Sequence, residues 1–228
     1  MLRLGYKASA EQFGPRQLLD YAILADSLGF DSVWTSDHFQ PWRHTDGHAP
    51  NAIAWLGAAA MSTERVLLGT SVLTPTLRYN PGVVAQAFAT LGCLAPGRIA
   101  LGVGTGESLN EVVVGVDWPE QKERFHRLKE AVMLIGQLFR EDFVNFEGQY
   151  YTTHNATLYD KPDDPVPVYV TGSGPAASRL AGRIAEGYIS TSGKPSELYT
   201  EKLLPAVREG LEKAGRADDA ISRMIEMK

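Results

Sequence analysis

One alternation runs the length of this chain: short runs rich in Val, Ile and Leu are separated by stretches whose apolar residues recur three and four apart. Compact apolar runs suit strands buried on both faces, and the wider spacing suits helices that bury one side. The runs are Leu2–Lys7, Ser32–Ser36, Val66–Leu73, Ile99–Val103, Val166–Val170 and Tyr188–Thr191, with Met224–Lys228 as the start of a seventh. Between them, Leu18, Leu19, Ala22, Ile23 and Ala25 share a stripe over Pro15–Leu28, and Phe125, Leu128, Val132, Ile135 and Leu138 share one over Glu120–Phe139. Such alternation, without a series of hairpins, predicts an α/β fold: a parallel sheet with its helices outside. The exception is 144–159, where Phe146-Glu147-Gly148-Gln149-Tyr150 reads as a small inserted hairpin. With no linker, repeat or low-complexity segment, residues 1–228 are expected to form one domain. A closed eight-unit barrel typically takes about 250 residues. Six complete units and part of a seventh therefore leave two possibilities, an open sheet or a barrel without its last units.

Composition excludes several kinds of partner. The net charge is −5 and no basic block exceeds a couple of residues, which argues against nucleic acid or an anionic membrane. No apolar run approaches the roughly 20 residues of a membrane helix. Met1–Lys7 has no apolar signal core, so the chain is expected in the cytoplasm. Cys93 is the only cysteine; this excludes an internal disulfide, and its apolar helical neighbours predict a core position.

In parallel α/β folds, ligands collect beyond the carboxyl ends of the strands. Those positions here read Thr35–His44, Gly69–Thr76, Gly102–Asn110, Thr171–Ala176 and Ser190–Lys194, five successive segments rich in glycine, hydroxyls and a few titratable groups. The opposite ends carry ordinary turns such as Thr63-Glu64-Arg65 and Ala95-Pro96-Gly97. Asp37-His38 ends a buried strand, which favours a site role over a solvated helix cap. His38, His44, Asp46 and His48 match no zinc spacing, so no metal site is expected. Trp42 lies in a polar loop after a proline and reads as a lid or stacking surface. Gly172-Ser173-Gly174-Pro175-Ala176 follows a strand and opens a helix, where bare amides can hold a phosphate. The acidic partner of a nicotinamide dinucleotide site is missing, because the next strand ends in Ser190-Thr191-Ser192. Gly102–Gly106 reads as a loop that lets backbone approach a ring. Lys194, beside Thr191, Ser192 and Gly193, suits a sugar phosphate.

At these residues the sequence resembles the F420-dependent glucose-6-phosphate dehydrogenases of the luciferase-like superfamily. The stretches that carry the likeness are Leu4–Phe13 (LGYKASAEQF), Ser36–His44 (SDHFQPWRH), Gly69–Pro75 (GTSVLTP), Gly102–Glu107 (GVGTGE) and Leu198–Arg208 (LYTEKLLPAVR). The resemblance implies a (β/α)8 TIM-type barrel, here shortened at its C-terminal end, with the deazaflavin coenzyme F420 as cofactor. By position, Asp37, Thr74, Thr105, Gly106 and Asn110 would hold the deazaflavin, and Ser173, Gly174 and Ala176 its phosphate region. The family has two glycines where this chain has Ser173-Gly174. Ser71-Val72 matches a non-proline cis peptide that backs the ring, and Thr191 and Lys194 would contact glucose 6-phosphate. A further phosphate-binding lysine and arginine of the family fall beyond Lys228.

The implied reaction moves a hydride from C1 of glucose 6-phosphate to C5 of F420, giving 6-phosphogluconolactone. A base must take the C1 hydroxyl proton, and the ring needs a donor as charge develops on it. Glu107 as base and His38 as donor is one assignment; the reverse is equally open at this stage. Trp42 would shield the site from water. The rival readings are an F420- or FMN-dependent oxidoreductase for another substrate, and a cofactor binder without turnover. The family also implies a homodimer.

Overall fold

A computed structural model describes residues 2–227. Its strands are β1 (Gly5–Ala8), β2 (Ser32–Thr35), β3 (Leu67–Thr70), β4 (Ile99–Val103), β5 (Val144–Glu147), β6 (Thr152–Ala156), β7 (Val168–Thr171), β8 (Gly187–Thr191) and β9 (Ser222–Glu226). The helices are α1 (Pro15–Ser27), α2 (Ala52–Ser62), α3 (Pro81–Leu94), α4 (Ser108–Glu111), α5 (Gln121–Arg140), α6 (Pro175–Ile184) and α7 (Leu204–Lys213). Among the described residues, seven strands form one sheet in the order β1-β2-β3-β4-β7-β8-β9, every neighbour parallel. The end strands approach each other: Lys7 Nζ on β1 lies 3.2 Å from Glu226 Oε2 on β9. The sheet is thus a nearly closed barrel, and the open-sheet alternative is set aside.

The β4 run keeps its expected bounds, and the other barrel strands shift at one end or both. β3 stops at Thr70; past the cis Ser71–Val72 peptide, Leu73 bridges Val103. β9 begins at Ser222, two residues before its apolar run, in parallel pairing with Gly187 of β8.

Alternation along each strand sorts side chains into two apolar layers. Val33, Leu68, Leu101 and Val170 point outward to meet Leu18, Leu56, Phe88, Leu128 and Ile135 of the helices. Their neighbours Trp34, Ala100, Tyr169 and Ile189 fill the barrel interior. The interior admits large rings only where small residues face them. A Cβ on Gly187 would sit 1.9 Å from the Tyr169 ring, so any side chain there would displace it. Cys93 corrects its expectation, being exposed. The buried stripe of α3 runs through Val84, Phe88 and Leu91, and a helical step of about 100° per residue carries position 93 out of it.

β5 and β6 form the expected hairpin, antiparallel and outside the barrel sheet. Glu130 of α5 accepts the Gln149 and Tyr150 amides, both at 2.9 Å. The Tyr151 hydroxyl donates to the Thr76 carbonyl at 2.7 Å. Burial is the largest influence on that hydroxyl and pushes it up to about 12, so it remains a donor at neutral pH.

At the amino-terminal ends of the strands, α1 meets the turn into β3. The Asp26 carboxylate accepts the amides of Glu64 (2.8 Å), Arg65 (3.1 Å) and Val66 (2.9 Å). Burial raises the Asp26 carboxyl, but the three amides and the Arg65 charge outweigh it and lower it overall. A lowered carboxyl stabilises the fold above its ordinary range and loses that contribution as pH falls. Asp26→Ala is expected to lower the unfolding free energy by about 2–3 kcal/mol at pH 7. Urea unfolding at stepped pH checks this, the deficit narrowing toward acid.

Candidate active site

The carboxyl ends of the seven parallel strands form one rim, and most of the expected residues lie on it. His38, just past β2, is held from both sides. Its Nε2 is 3.0 Å from Glu11 Oε1 in the β1–α1 connection, and its Nδ1 is 3.2 Å from the Asn110 side-chain nitrogen on α4. The Phe39 amide donates to Asn110 Oδ1 at 2.9 Å, so the amide group turns its NH2 toward Nδ1. Nδ1 therefore accepts, and the Nε2 proton faces Glu11. Burial is the largest influence on the Glu11 carboxyl and raises it. Hydrogen bonds from His38, Ser36 and its own amide outweigh burial and bring it down to about 2. Trp42 stands edge-on to the imidazole at 5.0 Å and is 61% exposed, as a lid over His38 would be.

Asp37 is placed differently. Its side chain is 1% exposed and pairs with Arg78, while Tyr79 Oη donates to it at 3.4 Å. Arg78 also reaches Glu111, through Nη1 at 2.7 Å and its backbone amide at 2.9 Å. Burial holds the Asp37 carboxyl above its ordinary value despite the Arg78 charge. This carboxylate builds the wall behind His38; it does not open into the mouth.

Glu107 opens α4, one turn before Asn110, whose amide donates to the Glu107 carbonyl at 3.0 Å. Its side chain is exposed and makes no hydrogen bond or ion pair among the described residues. Gly106, at φ +83°, needs its lack of a side chain, since a Cβ would come within 2.8 Å of Thr74 Cγ2. Gly106 thus lies directly against Thr74. Val72 packs on the interior layer. Ser71 is 8% exposed, and its amide donates to the Thr35 carbonyl at 2.7 Å.

On the far side of the rim, Ser173, Gly174 and Ala176 form the turn into α6. Nothing lies within 4 Å of where a side chain on Gly174 would begin. Ser173 and Ala176 are exposed. Open space before the first amides of a helix suits an anion, so the phosphate region of F420 fits this turn. Thr191 ends β8 and Lys194 lies in the loop beyond it, strapped by Tyr199: its hydroxyl donates to the Thr191 carbonyl at 2.6 Å and accepts the Lys194 amide at 3.3 Å. The Ser192 amide between them donates to the Glu226 carbonyl at 2.8 Å.

Four participants escaped the sequence. Glu11 follows β1, a strand end outside the expected set, although it lies within LGYKASAEQF. Arg78 and Glu111 sit just past Thr74 and Asn110, and only their mutual pairing distinguishes them from surface charges. Glu226, on β9, reaches the interior beside Lys7 and Ser71.

Acid–base groups and an anion-ready helix start thus share one rim of a parallel barrel, the arrangement of a barrel enzyme's active site. The luciferase-like monooxygenase family model matches residues 2–228, and the chain belongs to that family. It is 63% identical over 227 residues to the F420-dependent glucose-6-phosphate dehydrogenase of Microbacterium testaceum, covering the whole of this chain and 68% of that protein. Against the protein of the same name from Beutenbergia cavernae the identity is 66% over 228 residues, with the same coverage. Among solved structures, an F420-dependent secondary alcohol dehydrogenase in complex with an F420-acetone adduct superposes with a TM-score of 0.94 at 41% identity, over 98% of this chain and 68% of that one. The F420-dependent tetrahydromethanopterin reductase of Methanopyrus kandleri shares the fold, with a TM-score of 0.83 at 23% identity over 98% of this chain and 65% of that one.

The depressed Glu11 carboxyl fixes a sign. Its stabilising contribution is complete above the ordinary value of 4.5 and disappears as pH falls through about 2. Glu11→Gln should therefore cost roughly 3 kcal/mol or less at pH 7. Circular-dichroism melts of both proteins should converge between pH 5 and pH 2.

Proposed function

We propose that this chain is an F420-dependent glucose-6-phosphate dehydrogenase, oxidising C1 of glucose 6-phosphate to 6-phosphogluconolactone. Support comes from relatives of that name at 63% and 66% identity and from one feature of the rim: an exposed, unengaged carboxylate, Glu107, sits one helical turn before Asn110, whose side chain holds His38. When bound, F420 supplies the acceptor for the hydride that leaves C1.

The residues divide the remaining work. Glu107 takes the C1 hydroxyl proton; that its carboxylate has no competing partner favours this assignment over the reverse. His38, held between Glu11 and Asn110, forms the wall on the cofactor side, and Trp42 closes over it against water. Ser71, Val72, Thr74, Thr105, Gly106 and Asn110 border the deazaflavin. Asp37 acts by anchoring the segment that carries His38. The amides at Ser173, Gly174 and Ala176 receive the cofactor's phosphate, while Thr191 and Lys194 receive the sugar phosphate. A cytoplasmic homodimer, as the family resemblance implies, is part of the same proposal, and light scattering coupled to size exclusion reports the assembly.

F420 absorbance at 420 nm follows turnover directly. Glu107→Gln is expected to lower kcat by roughly 10²–10⁴-fold while F420 binding stays within a factor of about three. Lys194→Ala should raise the KM for glucose 6-phosphate more than it lowers kcat. Reduction of F420 by a short secondary alcohol, with none by glucose 6-phosphate, would overturn the substrate assignment.

A further inference from the structure

Glu226 is a charged residue on the inner side of β9, in register with Thr191 of β8. Its side chain is 10% exposed. Oε2 accepts the Ser71 hydroxyl at 2.5 Å and faces Lys7 Nζ at 3.2 Å, and Lys7 in turn donates to the Ser71 carbonyl at 2.6 Å. With its amide on Thr35, Ser71 has every polar group committed, and to three different strands: β1, β2 and β9. Two of those three bonds depend on the Lys7–Glu226 pair. Just below lies the apolar interior of Trp34, Tyr169 and Ile189, with Val72 packed on it.

Stability is a weak reason for such an arrangement. Removing two charges from water costs about what their attraction returns, so a hydrophobic pair of similar size would hold the barrel as well. What the pair supplies, and apolar residues would not, is direction: both charges converge on one backbone carbonyl and its own hydroxyl. Charged groups at the carboxyl end of a barrel interior serve the site more often than the scaffold.

We propose that Glu226 is a positioning residue for the cofactor site. With Lys7 it fixes the 71–74 segment, so that F420 affinity depends on the Glu226 charge. The inference rests on the proposed placement of Ser71 and Val72 against the deazaflavin. Glu226→Gln keeps an acceptor for the Ser71 hydroxyl but removes the charge opposite Lys7, and Glu226→Asp keeps the charge.

Two measurements test it. In deazaflavin fluorescence titrations, Glu226→Gln should weaken F420 binding roughly tenfold or more, with Glu226→Asp recovering part of the loss. Lys7→Met should behave alike, and the double variant should lose no more than the worse single change. In hydrogen exchange of the ligand-free protein, peptides covering 71–74 should exchange faster in Glu226→Gln, while those of α3 and α5 stay unchanged. Unchanged F420 affinity in Glu226→Gln would overturn the proposal, whether or not its melting temperature falls, because a purely structural pair would move only the melt. If the wild-type protein bound no F420, the functional assignment would fail by itself. Exchange at 71–74 would then decide the clamp, local acceleration supporting it and no local change overturning it.

Discussion

Every strand of the barrel sheet runs in the same direction, and each return crosses outside. That constraint places all the carboxyl ends on one rim and all the amino ends on the other. The sheet is thereby covered by helices on its outer face, and its inner side chains have only one another to pack against. Two separate apolar layers follow from this, and so does a division of labour between the ends. At the amino end, Asp26 caps the turn into β3 with three amide bonds and carries no chemistry. At the carboxyl end the loops carry hydroxyls, glycines and charges whose positions are set by the strands that deliver them.

The charges on that rim fall into two groups. Asp37, Arg78 and Glu111 neutralise one another in the wall; Glu11 faces His38, and Lys7 faces Glu226. Each of these groups is largely removed from solvent, where a charge without a partner would be very costly. Glu107 is exposed and unengaged, and Lys194 is half-buried in its loop beside Thr191. The committed groups define geometry, and in the proposed function Glu107 and Lys194 are the two that meet the substrate. A rim made only of exposed charges would lack a fixed shape, while one made only of paired charges would have nothing left to react with.

Much of this was legible in the letters because period and punctuation are local. Val, Ile and Leu runs marked the strands, and the Ile99–Val103 strand kept its bounds since both its faces are covered. The rim loops were found by position alone. What stayed hidden was long-range pairing. Glu226 lies inside the Met224–Lys228 run and reads as an ordinary strand residue; only closure of the sheet brings it to Lys7, 219 residues away in sequence. Asp37 was given a cofactor role by its position in the family it resembles, and its pairing with Arg78, 41 residues on, could not be read from the letters. Cys93 was misplaced because apolar neighbours in sequence are not neighbours on a helix.

The β5–β6 hairpin lies apart from the barrel sheet, but its Tyr151 hydroxyl grips the Thr76 carbonyl, two residues beyond Thr74 at the mouth. An appendage to the scaffold thus acts as an outside brace on a stretch of the inner lining. Drift in that appendage, in length or in tilt, is transmitted as displacement of main chain bordering the mouth.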